Sequence, residues 1–146
     1  MFDFIVRNFG CLKHVPLLPH IFDSLLKLRT FVYKRHLLDV FDSIEDEVLS
    51  WEGATVRTHK YGGLQFNILK REIGHLHSNG LLDVVYSRKV KTMLIKEGRV
   101  NHHHLFEKSG WISFYIASAE DEAYAVKLLK LSYSTKTVHQ PCLAMI

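Results

Sequence analysis

Two periods divide this chain. Over its first third the apolar positions recur at helical spacing. Ile21, Phe22, Leu25, Leu28 and Val32 predict one helix, with Pro19 in its first turn, where a missing N–H is no loss. Leu37, Val40, Phe41, Ile44, Val48 and Trp51 predict a second. Asp39, Asp42, Glu45 and Asp46 lie elsewhere around that cylinder, and Gly53 ends it. Both stripes read as core. Beyond Gly53 the period shortens to two. Thr55–Tyr61 reads as extended, and Leu64, Phe66 and Ile68 alternate with Gln65 and Asn67 as a half-buried strand. Lys70-Arg71 turns the chain into a strand over Glu72–His77, and Ser78-Asn79-Gly80 turns it again into Leu81–Tyr86.

Ser87 then caps a short helix with Val90, Met93 and Leu94 inward, stopped by Gly98. Arg99–Gly110 is a polar connection. Trp111–Ala117 is a strand with Trp111 and Tyr115 on one face and Ile112, Phe114 and Ile116 on the other, which suits a central position. Ser118 with Asp121 approximates a capping box and opens a last helix lined by Ala125, Leu128, Leu129 and Tyr133. Strands joined by short turns pair antiparallel. The expected fold is α+β: an antiparallel sheet packed against helices, one face covered and the other partly open, with an N-terminal helical pair. Residues 1–54 form the helical extension, 55–134 the α+β domain and 135–146 a tail, in one compact domain overall.

Composition narrows the class. The 146 residues are 47% hydrophobic and 23% charged, which excludes a disordered chain, a collagen and a disulfide scaffold. No apolar run is long enough for a membrane span, so no membrane is expected as partner. Met1-Phe2-Asp3-Phe4 carries an acid where a secretory signal carries positive charge, and the expected location is cytoplasmic. The lone pair Cys11 and Cys142, without CxxC spacing, fits a reducing compartment. The net charge of +4 permits nucleic-acid contact through Arg88, Lys89, Lys91, Lys96 and Arg99, but the acids are interspersed and a solvated helix face is the plainer reading.

The candidate chemistry is imidazole. On a strand His75 and His77 project to the same side, which is a metal-ligand spacing on β structure. A third ligand would come from His102, His103, His104, Asp83 or Glu72. No HExxH or Cys/His zinc pattern is present, so no metal is assigned, with His75 and His77 the weak candidates. Consecutive residues diverge, so one of the three connector histidines is expected inward and two outward. Arg71 suits a carboxylate or phosphate. There is no GxGxxG, no Walker loop and no GxSxG, and no cofactor is assigned.

Several segments together resemble a known signature: His59–Phe66, Arg71–His77 and Gly80–Asp83, then Gly98-Arg99 with His102-His103, Ser109–Ser113 and Leu128–Tyr133. Over about residues 55–134 they are similar, in order and spacing, to a small family of bacterial and fungal proteins labelled a luciferase-type domain of unknown function. The histidine-bearing loop, the strand from Trp111 and the closing Leu131-Ser132-Tyr133 also resemble, more faintly, the YjbR/MmcQ group of CyaY-like proteins, suspected of binding DNA. The luciferase-type resemblance implies a site built from Arg71, Glu72, His75, His77, Asp83, His103 and Trp111. Polar residues this dense on strands either line a pocket or form a paired network that fixes the sheet. The expectation is a binding or accessory module with a polar His/Arg/Trp cleft for a small anionic ligand. A metal-assisted or acid–base enzyme using His75 and His77, with Glu72 as base, is the first alternative, and a DNA-binding protein the second. Whether the protein is an enzyme stays open, as does its oligomeric state.

Overall fold

The computed structural model describes residues 18–33, 35–60 and 62–137. Cys11 and Cys142 lie outside them. The elements run α1 (Leu18–Tyr33), α2 (His36–Leu49), β1 (Ala54–Thr58), β2 (Leu64–Ile68), β3 (Arg71–Leu76), β4 (Leu81–Val85), α3 (Arg88–Lys96), β5 (Asn101–His102), β6 (Trp111–Tyr115), a 3-10 turn (Ala119–Asp121) and α4 (Glu122–Thr137). The strands form one antiparallel sheet in the order β1-β2-β3-β4-β6-β5. This is the expected α+β architecture. The two-residue β5, inside the polar connection, is an addition to it, and it makes β6 next-to-edge rather than central. α4 continues through Thr137, past the expected start of the tail.

Strand alternation gives the sheet two unlike faces. Phe66, Gly74, Leu76, Leu82, Val84, Ile112 and Phe114 share one, and its apolar members join α2 and α4 in a single core. From α2 come Leu37, Val40, Phe41, Ile44 and Val48, as the spacing predicts, and from α4 Ala125, Leu128 and Leu129. α4 lies so close that a Cβ on Gly74 would stand 3.0 Å from Leu129 Cδ2 and 2.7 Å from the Asp83 carbonyl oxygen. The turn before α4 is a full capping box between Ser118 and Asp121.

The other face is polar. Gln65, His75, Asp83, Ser113 and Asn101 stand opposite one another across β2, β3, β4, β6 and β5. A β-bulge adds one more residue to this face. Phe66 pairs with Gly74 but Asn67 pairs with Glu72, so Ile73 is the extra residue. In a regular strand, residues 72 and 75 would face opposite sides. The bulge brings Glu72 onto the His75 side and turns Ile73 fully into the core. The single proton of Ser132 Oγ on α4 is shared between the Ile73 carbonyl at 3.1 Å and the Val85 carbonyl at 2.9 Å, which ties the irregularity to the end of β4.

Two helices depart from the expected burial. In α1 the predicted stripe faces outward: Ile21, Leu25, Leu28 and Val32 are 55–62% exposed. The helix attaches instead through Asp23 and Thr30, because polar loop ends rather than apolar side chains lie beneath it. In α3 Leu94 is buried, but Met93 is exposed and Lys91 takes an inward place. Lys91 Nζ donates to the carbonyls of Glu107 at 2.6 Å and Ser109 at 3.0 Å, since the connection crossing there offers acceptors. Lys91 is therefore no part of a solvated basic face. Among the described residues no helix is long and apolar enough to cross a membrane.

Candidate functional site

The polar face converges on Asp83. Its side chain is fully buried at the centre of β4. Ser113 Oγ, directly opposite on β6, donates to Oδ1. Oδ2 receives no hydrogen bond. Three imidazole nitrogens surround it: His75 Nε2 at 3.4 Å, His77 Nε2 at 3.6 Å and His103 Nε2 at 3.6 Å. These separations are too long for ordinary hydrogen bonds and leave electrostatic attraction as the contact. Isolated buried carboxylates are costly, so this one requires its cationic neighbours or a bound cation.

Each histidine is held differently. His75 Nδ1 lies 2.6 Å from Glu72 Oε1, the carboxylate that the bulge delivers. His59, on the loop after β1, stacks on His75 with centroids 4.1 Å apart and planes 8° from parallel. His77 meets both rings edge-on. His103 comes from the connection. Its Nδ1 accepts from the backbone N–H groups of Leu105 at 3.1 Å and Phe106 at 3.2 Å. Two donors aimed at Nδ1 leave the ring proton on Nε2, facing Asp83. Trp111 closes one side, 5.2 Å from the His75 ring and 6.0 Å from that of His103.

The electrostatics follow from this packing. Burial works against a charge on His75, but its contacts with Asp83 and Glu72 outweigh burial and raise it to about 8. Burial, with the charge of His75 behind it, lowers His59 to about 4. Burial also lowers His103 to about 4, against the pull of Asp83. Asp83 itself is pushed upward by burial, yet His75, His77 and Ser113 hold it far below the usual carboxylate range. The site is an anion with a shared cation, so it favours positive occupants.

His75, His77 and Asp83 each bring one ligand atom close enough to share a metal ion. Bonds of about 2.1 Å at tetrahedral angles separate ligand atoms by about 3.4 Å, close to the spacing around Oδ2. Glu72 on the far nitrogen of His75 is the usual outer partner of a ligating imidazole. Asp83, His103 and His104 form another such group, but ligation through His103 Nε2 would move its proton onto a nitrogen that already accepts two N–H groups.

Of the residues expected at the site, Glu72, His75, His77, Asp83, His103 and Trp111 come together. Arg71 does not: it pairs with Ile68, outside the polar row, and is exposed. His102 is exposed, but His104 is half-buried and stacks on His103 with centroids 4.5 Å apart, so two connector histidines rather than the expected one approach Asp83. The site reading omits His59 and Ser113. Ser113 was detectable as the one small polar residue between apolar neighbours on its strand. His59 had no such signal, because the Gly62-Gly63 turn brings it in. A recess lined by Ser43, Asp46, Glu47, Glu122, Ala123 and Val126 lies between α2 and α4, away from this chemistry.

Residues 70–132 match the family model described as Luciferase domain. Over that stretch the chain is similar to the Luciferase domain. The matched stretch holds every member of the cluster except His59, and it includes Ser113 and the bulge-pinning Ser132. No curated protein and no solved structure matches the chain.

Proposed function

We propose that this protein binds a divalent transition-metal ion, of the zinc class, through His75 Nε2, His77 Nε2 and Asp83 Oδ2. The observation that carries this reading is Asp83 Oδ2: buried, without a hydrogen bond, and faced by imidazole nitrogens at near-ligand spacing. Two imidazoles and a carboxylate are the donor set of open zinc sites, which keep a position for water or substrate. A metal there supplies Lewis acidity and lowers the pKa of a bound water. The chain's own groups do the rest. Glu72 and Ser113 orient the ligands, His103 faces its Nε2–H toward Asp83, and Trp111 shields one side from water. This favours metal-assisted chemistry over the small-anion module, since two carboxylates lie at the centre and Arg71 stands outside it.

The test is calorimetric titration of zinc into metal-stripped, untagged protein, with metal analysis of the protein as purified. One site per chain is expected, weakened at least about a hundredfold in Asp83→Asn. Absence of binding, with the fold intact, would leave a buried His–Asp–Glu network whose only role is to fix the sheet.

A further inference from the structure

α1 is attached by the wrong side for a core helix. Asp23 Oδ2 accepts from the Gly63 N–H at 2.8 Å and from Ser78 Oγ at 2.9 Å. Thr30 Oγ1 donates to the Ser78 carbonyl at 2.7 Å. Asp23 and Thr30 are seven residues apart and so lie on one line along the helix. Ile21, Leu25, Leu28 and Val32 recur at spacings of four, three and four, on the opposite line, and all four are 55–62% exposed. Phe31 beside them is 49% exposed. The polar line is therefore consumed inside the molecule while the apolar line faces out. A continuous apolar stripe along a helix about 24 Å long is more than scattered surface residues explain.

Charge selects the occupant. α1 carries Asp23, Lys27 and Arg29 as its charged residues. The acid is tied to Gly63 and Ser78, so the free charges of the helix are both positive. Arg29 follows Leu28 along the border of the stripe, and exposed Arg35, whose guanidinium lies 5.5 Å from the Phe31 ring, adds a third cation at its end. A second copy packed through the same helix would bring the same cations against these, with no free acid on α1 to answer them. An apolar stripe bordered by Lys and Arg matches an anionic lipid surface.

We propose that α1 is a peripheral membrane-docking helix. It lies flat on anionic lipid with Ile21, Leu25, Leu28, Phe31 and Val32 inserted, and Asp23 couples it to the loops beside His59 and His77. This inference is independent of the metal reading. The test is co-sedimentation of the full chain with phosphatidylcholine vesicles, with and without phosphatidylserine, alongside analytical ultracentrifugation without lipid. Binding is expected to the phosphatidylserine vesicles, to weaken with salt, and to fall at least about tenfold in Leu25→Glu/Leu28→Glu with an unchanged circular dichroism spectrum. No binding to phosphatidylserine vesicles overturns the proposal. So does a dimer without lipid that the same double variant dissociates, which would assign the stripe to a second copy. Should the double variant misfold, Arg29→Glu carries the same decision through the salt-sensitive part of binding.

Discussion

The two faces of the sheet are made by the same strands and do opposite things. On the helix side, alternate residues of β2, β3, β4 and β6 are apolar and pack against α2 and α4. On the other side the intervening residues are Gln65, His75, Asp83 and Ser113, with Glu72 added by the bulge. The first face supplies cohesion, and the second spends part of it on a buried carboxylate. Its histidines divide that cost unequally: His75 carries charge, while His59 and His103 are kept neutral by burial. A rigid apolar layer behind a strand is what lets polar groups stay in place in front of it.

Substitutions separate the two faces. Leu129→Ala, on the cohesive side, is expected to cost about 2–5 kcal/mol in a denaturant titration and to leave zinc affinity unchanged. An equal loss of zinc affinity would show that the faces are not separable. Glu72→Ala is the converse. It removes the outer partner of His75 and should weaken zinc binding about 10–100-fold. Calorimetry showing unchanged affinity would deny Glu72 its orienting role.

On the polar face, acid and base act through the histidines. Zinc needs His75 Nε2 without its proton, so affinity should rise about tenfold per pH unit up to about 8 and then level. A pH-independent affinity would remove His75 from the ligand set. In the metal-free protein the signs split. The raised His75 stabilises below its unfolded pKa near 6.5, and that contribution is lost as pH rises through about 8. The lowered His59 and His103 stabilise above about 6.5, and theirs is lost as pH falls toward about 4. Thermal midpoints should therefore decline on both sides of neutrality, and a midpoint flat from 4 to 8 would contradict the arrangement.

The smallest effect tests the joint between the faces. Ser132→Ala removes the donor shared by the Ile73 and Val85 carbonyls and the acceptor of Lys136 Nζ, and should cost about 1–3 kcal/mol. It should also loosen Glu72 from His75, read as a modest fall in zinc affinity. Stability lost without that fall would make the bulge self-supporting.

Local order was legible because it is periodic. The stripe from Leu37 to Trp51, the alternation from Leu64 to Ile68, the Ser78-Asn79-Gly80 turn and the Ser118–Asp121 cap all depend on neighbours within a few residues. The pairing of His75 with His77 was legible for the same reason, since spacing of two on a strand fixes a common face. The stripe of α1 was legible as a helix but not as an exposed one. Periodicity says which residues share a face, while what that face meets depends on distant loops such as Gly63 and Ser78.

The amino-acid sequence by itself determined the helix and strand periods, the α+β class and the two histidines that project together. Only the tertiary structure decided that Asp83 is their focus, that Glu72 joins them across a bulge, that His59 joins from the loop after β1 and that Arg71 does not. Those outcomes turn on strand register, on one extra residue in β3 and on hydrogen bonds between segments far apart in the chain. Contacts of that kind are set by the packing of the whole molecule, and no local pattern of side chains encodes them.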